Sequence, residues 1–70
     1  MDMSKTGKLI AELRKNLNLT QEDLGQRLNV SAKAVSKWER GLSLPDVALI
    51  GRLAAELRVS IVVLLAGEIN

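Results

Sequence analysis

The segment from Thr20 to Arg40, TQEDLGQRLNVSAKAVSKWER, limits what this chain can fold into more than any other, because it holds two helix starts in close succession. Thr20 is a good N-cap, and Asp23 three residues on makes a capping box in which Asp replaces the usual Glu. Leu19 and Leu24 stand at the staple positions on either side of that cap. Leu24 and Leu28 continue an apolar stripe at four-residue spacing, and Asn29 tolerates the left-handed backbone that turns a chain. Ser31 then offers a second cap, with Val30 and Val35 again at staple spacing. The pattern predicts helices over about 21–28 and 32–40, joined by a turn of roughly three residues.

The second helix divides cleanly when each residue is advanced by about 100°. Lys33, Ser36, Lys37 and Arg40 fall on one face; Ala34, Val35 and Trp38 fall opposite, with Glu39 at their edge. One side can therefore pack on a core while the other offers three cations and a hydroxyl. A polyanion with hydrogen-bonding edges suits that offer, and duplex DNA is the common one. Lysine can donate to the O6 and N7 acceptors of guanine, and a hydroxyl can serve several bases. A solvated lysine face is the plain alternative. Trp38 could stack on a base as aromatics do in single-strand binders, but its place opposite the lysines makes it a core anchor.

These residues resemble the phage-repressor and Cro type of helix-turn-helix domain, the xenobiotic-response-element family. Leu24, Gly25, Leu28, Asn29, Val30, Val35 and Trp38 sit at its apolar, small and turn positions, and Trp38-Glu39-Arg40-Gly41 matches its ending. Leu13-Arg14-Lys15 resembles its first helix. Pro45, Leu53-Ala54, Leu57, Val59-Ser60, Leu64-Leu65 and Gly67 resemble its last two, so nearly all of 7–67 is covered. The resemblance implies an all-α, five-helix repressor-like bundle with the helix-turn-helix at helices 2 and 3. It implies sequence-specific binding of double-stranded DNA by a transcription regulator, with the helix over 32–40 in the major groove. On that reading Lys33, Ser36 and Lys37 meet base edges and Ala32 a thymine methyl, while Gln21 and Arg40 meet phosphates.

The resemblance carries further expectations. Arg14 and Glu39 match a buried ion pair between the first helix and the recognition helix; the bland alternative is two surface charges worth about 0 to 1 kcal/mol together. Gly25, which costs roughly 1 kcal/mol relative to Ala inside a helix, would mark a close crossing of the two motif helices. In several relatives Gln21 is braced by a second Gln, a place taken here by Ala32, and Leu42, Ser43 and Leu44 stand where some relatives have cations. Weaker phosphate binding follows. Val62 and Val63 are expected on the outer side of the last helix as a dimer contact, with Ile61, Leu64 and Leu65 inward. The partners so implied are a palindromic DNA operator and a weak homodimer strengthened on DNA. A protein-interaction module of the same fold, such as an antitoxin-like partner or a regulator subunit, is the alternative.

Composition bounds the rest. Seventy residues have room for one domain, expected over 1–70 with 1–4 as a loose tail. With no Cys and no His, the chain lacks the residues for disulfides, thiol nucleophiles, zinc fingers and the commonest general base. No enzyme activity, metal or cofactor is expected. The net charge of +2 is modest, but its distribution is uneven: Lys5 to Arg40 carries a balance of +4 and Gly41 to Asn70 one of −1. Met1 to Lys8 has no apolar run, and Ile61 to Ala66 falls far below the roughly 18 residues of a membrane span, so a cytoplasmic protein is expected.

Helical periodicity supplies the remaining elements. Leu9, Ile10, Leu13 and Leu17 predict a first helix from about Thr6 to Leu17, capped by Ser4 or Thr6. Asp46, or Ser43 with an earlier start, caps a fourth helix with Leu49, Ile50, Leu53, Ala54 and Leu57 inward. Arg58 stands where the family has a left-handed Gly, and Ser60 caps a short last helix ended by Gly67.

Overall fold

The computed structural model describes residues 2–69. Five helices account for the regular structure among them: α1 (Met3–Asn16), α2 (Gln21–Leu28), α3 (Ala32–Glu39), α4 (Val47–Leu57) and α5 (Ile61–Ala66). Their inner faces meet in one aliphatic core built on Ile10, Leu24, Leu28, Val35, Leu53, Leu57 and Leu64, with Trp38 closing it. No helix is long and apolar enough to cross a membrane among the described residues.

Each start follows a short polar side chain that satisfies amides the helix itself leaves unpaired. Thr20 and Asp23 form the full capping box: Asp23 N–H donates to Thr20 Oγ1 at 2.9 Å, and Thr20 N–H donates to Asp23 Oδ2 at 2.8 Å. Ser31 and Ser60 accept from Ala34 and Val63 N–H, both at 3.1 Å, and Asp46 accepts from Ala48 N–H at 2.9 Å. The stops are left-handed residues. Asn29 has φ 60°, Gly41 φ 72°, Arg58 φ 62° and Gly67 φ 74°. For Arg58 that backbone costs on the order of 1 kcal/mol, offset in part by Val59 N–H donating to Ala54 O at 3.0 Å.

The N-terminus corrects the expected tail. Met1 lies outside the described residues, and Asp2 to Ser4 are not loose: Asp2 caps α1 by accepting from Lys5 N–H at 3.0 Å. Ser4 and Thr6 therefore lie within the helix. Thr6 is buried, its hydroxyl donating to Leu64 O at 3.3 Å, so its polar group ties α1 to α5 and caps nothing.

Two glycines show why the N-terminal helices pack so closely. A Cβ on Gly7 would collide with the carbonyl oxygen of Trp38, which puts α1 directly against the C-terminal end of α3. A Cβ on Gly25 would lie 2.6 Å from Val30 O and 3.2 Å from Ser31 C. The close approach at Gly25 thus comes from the turn folding back over α2, sealed by Val30 N–H donating to Gly25 O at 2.8 Å. It is the turn backbone, more than the helix crossing, that leaves no room for a side chain.

The last helix is rotated from its expected setting. Leu64 is fully buried, but Ile61 and Leu65 remain 47% and 36% exposed, and Val63 is half-buried where it was expected to point away. The reason is geometric. A six-residue helix has one central position that neighbours can surround, and here it is Leu64, whose carbonyl also accepts from Thr6. Ile61 and Leu65 line an open groove of about 410 Å³ with Val47, Ile50 and Gly51 of α4.

Candidate nucleic-acid interface

The surface of interest is α3, and its orientation follows from what it buries. Val35 and Trp38 are 0% and 4% exposed, which drives Lys33, Lys37 and Arg40 to the opposite, solvent-facing side. Ala32 and Ser36 are half-buried beside them. The five residues therefore lie together on one exposed helix face. Arg40 is the C-cap, and its side chain folds back along α3, Nε donating to Ser36 Oγ at 3.1 Å and to Ser36 O at 3.3 Å. The Ser36 hydroxyl is thereby engaged with Arg40, a role the face assignment alone did not show.

A polar network fixes this helix from behind. Arg14 Nε donates to Glu39 Oε2 at 2.7 Å and Arg14 Nη2 to Glu39 Oε1 at 2.9 Å, a two-pronged pair with side chains 10% and 7% exposed. Arg14 Nη1 donates to Leu19 O at 2.8 Å, so the turn after α1 is held as well. The hydrogen bond to Glu39 raises the Arg14 pKa above its ordinary value, against the opposing effect of burial. Among the described residues no buried side-chain nitrogen or oxygen lacks a partner. That completeness matters, because an unpaired buried charge costs several kcal/mol, on the order of 3 to 5.

Gln21, the first residue of α2, belongs to the same network. Its Nε2 donates to Glu39 Oε1 at 3.0 Å, and the side chain is half-buried. Its place at the N-terminus of α2 is as expected, but its amide is turned toward the ion pair. Nothing in the linear sequence announced this bond, since Gln21 and Glu39 are brought together only by the crossing of α2 and α3. The Ser36 and Arg40 contact was within reach of sequence reasoning, because residues four apart face each other on a helix.

Two further cations have neighbours on the other side of α2. Arg27 pairs with Glu56 of α4 at 3.2 Å on the surface, and Arg52 Nη2 donates to Arg27 O at 2.9 Å. These belong to the α2–α4 seam. At the start of α2 the Asp23 carboxylate is held below its ordinary range, chiefly by the Thr20 N–H and then by its hydroxyl.

Two short helices joined across a left-handed Asn29, the second offering cations from a frame braced by buried charges, define a helix-turn-helix domain of the repressor type. Residues 10–64 match the HTH_3 helix-turn-helix family, and the chain belongs to that family. It is 41% identical over 59 residues to the HTH-type transcriptional activator BcrR of Enterococcus faecalis, a match covering 84% of this chain and 29% of BcrR. It is 33% identical over 61 residues to multiprotein-bridging factor 1 of Debaryomyces hansenii, covering 87% of this chain and 40% of the factor. The chain thus spans well under half the length of these curated relatives. Among solved structures, the P22 c2 repressor in complex with a synthetic operator superposes with a TM-score of 0.85 at 35% identity, covering 90% of this chain and 96% of the repressor.

Proposed function

We propose that this chain is a sequence-specific binder of double-stranded DNA acting in transcription regulation, and that α3 enters the major groove. The observation that carries the reading is the isolated cationic face of α3, Lys33, Lys37 and Arg40, held on a helix whose other side is locked by Val35, Trp38 and the buried Arg14–Glu39 pair. Lys33 and Lys37 donate to base edges, and the Ala32 methyl packs on a thymine. Arg40 takes a phosphate, with Ser36 orienting its guanidinium. The operator complex of the P22 c2 repressor and the activator name of BcrR support the same assignment for this fold.

Residues 1–70 act as one domain whose work is binding and not catalysis, in the cytoplasm. On DNA the protein pairs across a palindromic site through the α4–α5 face, where Val47 and Val62 are 88% and 76% exposed beside the Ile61 and Leu65 groove. Val63 contributes from behind, being half-buried. A patch this small supports only weak association in free solution, and two half-sites about 34 Å apart bring the copies together. The same apolar face, with the likeness to a multiprotein-bridging factor, favours a second reading in which α4–α5 docks another regulator. Selection of bound sequences from a random duplex pool decides between them. A recovered palindrome supports operator reading; sequence-independent capture, or none, removes it in favour of the docking module.

A further inference from the structure

We propose that Gln21 is a positioning residue for the recognition helix, gripping Glu39 from the start of α2, and not a phosphate contact. The proposal rests on the DNA reading above for its functional consequence, and on the network itself for its structural part. Glu39 lies at the C-terminal end of α3, two residues after Lys37 and next to Arg40. Its carboxylate takes three donors: Arg14 Nε on Oε2, and both Arg14 Nη2 and Gln21 Nε2 on Oε1. Arg14 approaches from α1 and Gln21 from α2, so the carboxylate is held from two sides.

The geometry makes this grip consequential. The only side-chain hydrogen bonds from α3 to other elements, among the described residues, are those at Glu39; Ser31 and Arg40 bond within α3 and its caps. Ala32 at the opposite end has a methyl group and can make none. Burial of Val35 and Trp38 chooses which side of α3 faces the core, and the one polar anchor, Glu39 at its end, sets the finer roll of the helix about its axis and hence the direction of Lys33 and Lys37. Two donors on Oε1 from different helices define that roll better than the Arg14 pair alone. Glu22 and Asp23 add two carboxylates to the same first turn, and their charge opposes the attraction that a helix N-terminus otherwise has for a phosphate.

The test uses Gln21→Met, which keeps length and removes the donor, and Gln21→Lys, which restores one. Hydrogen exchange of the Arg14 Nε–H is read by NMR on the free protein. We expect Met to speed it about two- to tenfold, the ratio set by one ordinary hydrogen bond, and Lys to keep it slow. Unchanged exchange in Gln21→Met, or equally fast exchange in both variants, overturns the grip. Affinity is then compared on duplexes carrying a single neutral methylphosphonate at each phosphate in turn. The loss caused by Gln21→Met should be the same on every duplex; one position that erases the difference from the unaltered protein identifies a phosphate contact and overturns the proposal. A chain that binds no duplex removes the DNA reading instead, and the exchange rate, measured without DNA, still decides the grip.

Discussion

The N-terminal three helices and the C-terminal two solve the same packing problem with different chemistry. Between α1, α2 and α3 the aliphatic core is supplemented by a satisfied network of Arg14, Glu39, Gln21 and the Leu19 carbonyl, and the outer surface is cationic. Between α4 and α5 the contacts are apolar throughout, and apolar side chains continue onto the surface at Val47, Ile61 and Val62. The difference teaches where precision is needed. A hydrogen-bonded charge pair is strongly directional, whereas aliphatic packing tolerates small slides. The half that carries the proposed reading face also carries the buried, two-pronged ion pair, while the directional bonds to α4 and α5 are the single Thr6 bond to Leu64 O and the α2–α4 surface contacts of Arg27 and Arg52.

Breaking the directional half should produce the largest effect. Glu39→Ala leaves Arg14 buried without its partner and should destabilise the fold by about 3 kcal/mol or more in chemical denaturation, with the double replacement of Arg14 and Glu39 milder. A double-mutant cycle with coupling near zero would contradict the structural role. Next comes the reading face. Lys37→Ala should cost about 1 to 3 kcal/mol on the best site and relax preference at one base position. Arg40→Ala should weaken all sequences alike and lower the salt slope by roughly one. Titrations against a panel of single-base variants separate the two, and equal loss of specificity in both mutants would show the contacts to be wrongly sorted.

The apolar half answers to a different substitution. Val62→Glu should leave folding stability within about 0.5 kcal/mol, because the side chain is exposed, while abolishing cooperative pairing on a two-half site. Sedimentation with one-half and two-half sites reads this; cooperative binding by the mutant removes α5 from the assembly. The smallest effect concerns pH at the α2 cap. The Asp23 carboxylate is held below its ordinary value by Thr20, so its contribution is fully present above about pH 3.9 and is lost as the pH falls through the lower, folded-state value. Asp23→Asn should flatten the stability profile in that acid window and leave its slope at neutral pH unchanged.

Most of the architecture was legible because capping and periodicity are local. Thr20 with Asp23, Ser31, Asp46 and Ser60 each caps the helix its spacing announced, and Gly41, Arg58 and Gly67 take the left-handed stops. What escaped was set by tertiary contact. Asp2, not Ser4 or Thr6, caps α1, and Thr6 instead bonds to Leu64 of α5, a residue far away in the chain. Leu65 and Ile61 lie outside the core because a short helix turns on a single buried residue, which a helical wheel cannot choose. Of the proposed interface, the cationic face could be read from side-chain spacing. The Gln21 bond to Glu39 could not, since it depends on the crossing of α2 and α3.

The central claim, that α3 and not the α4–α5 face meets DNA, is tested most directly by following backbone amide shifts as the selected duplex is added. The largest changes should fall on residues 32–40, with α4 and α5 nearly still on a single half-site. Changes concentrated on residues 47–65, with Lys33 and Lys37 unmoved, would contradict it.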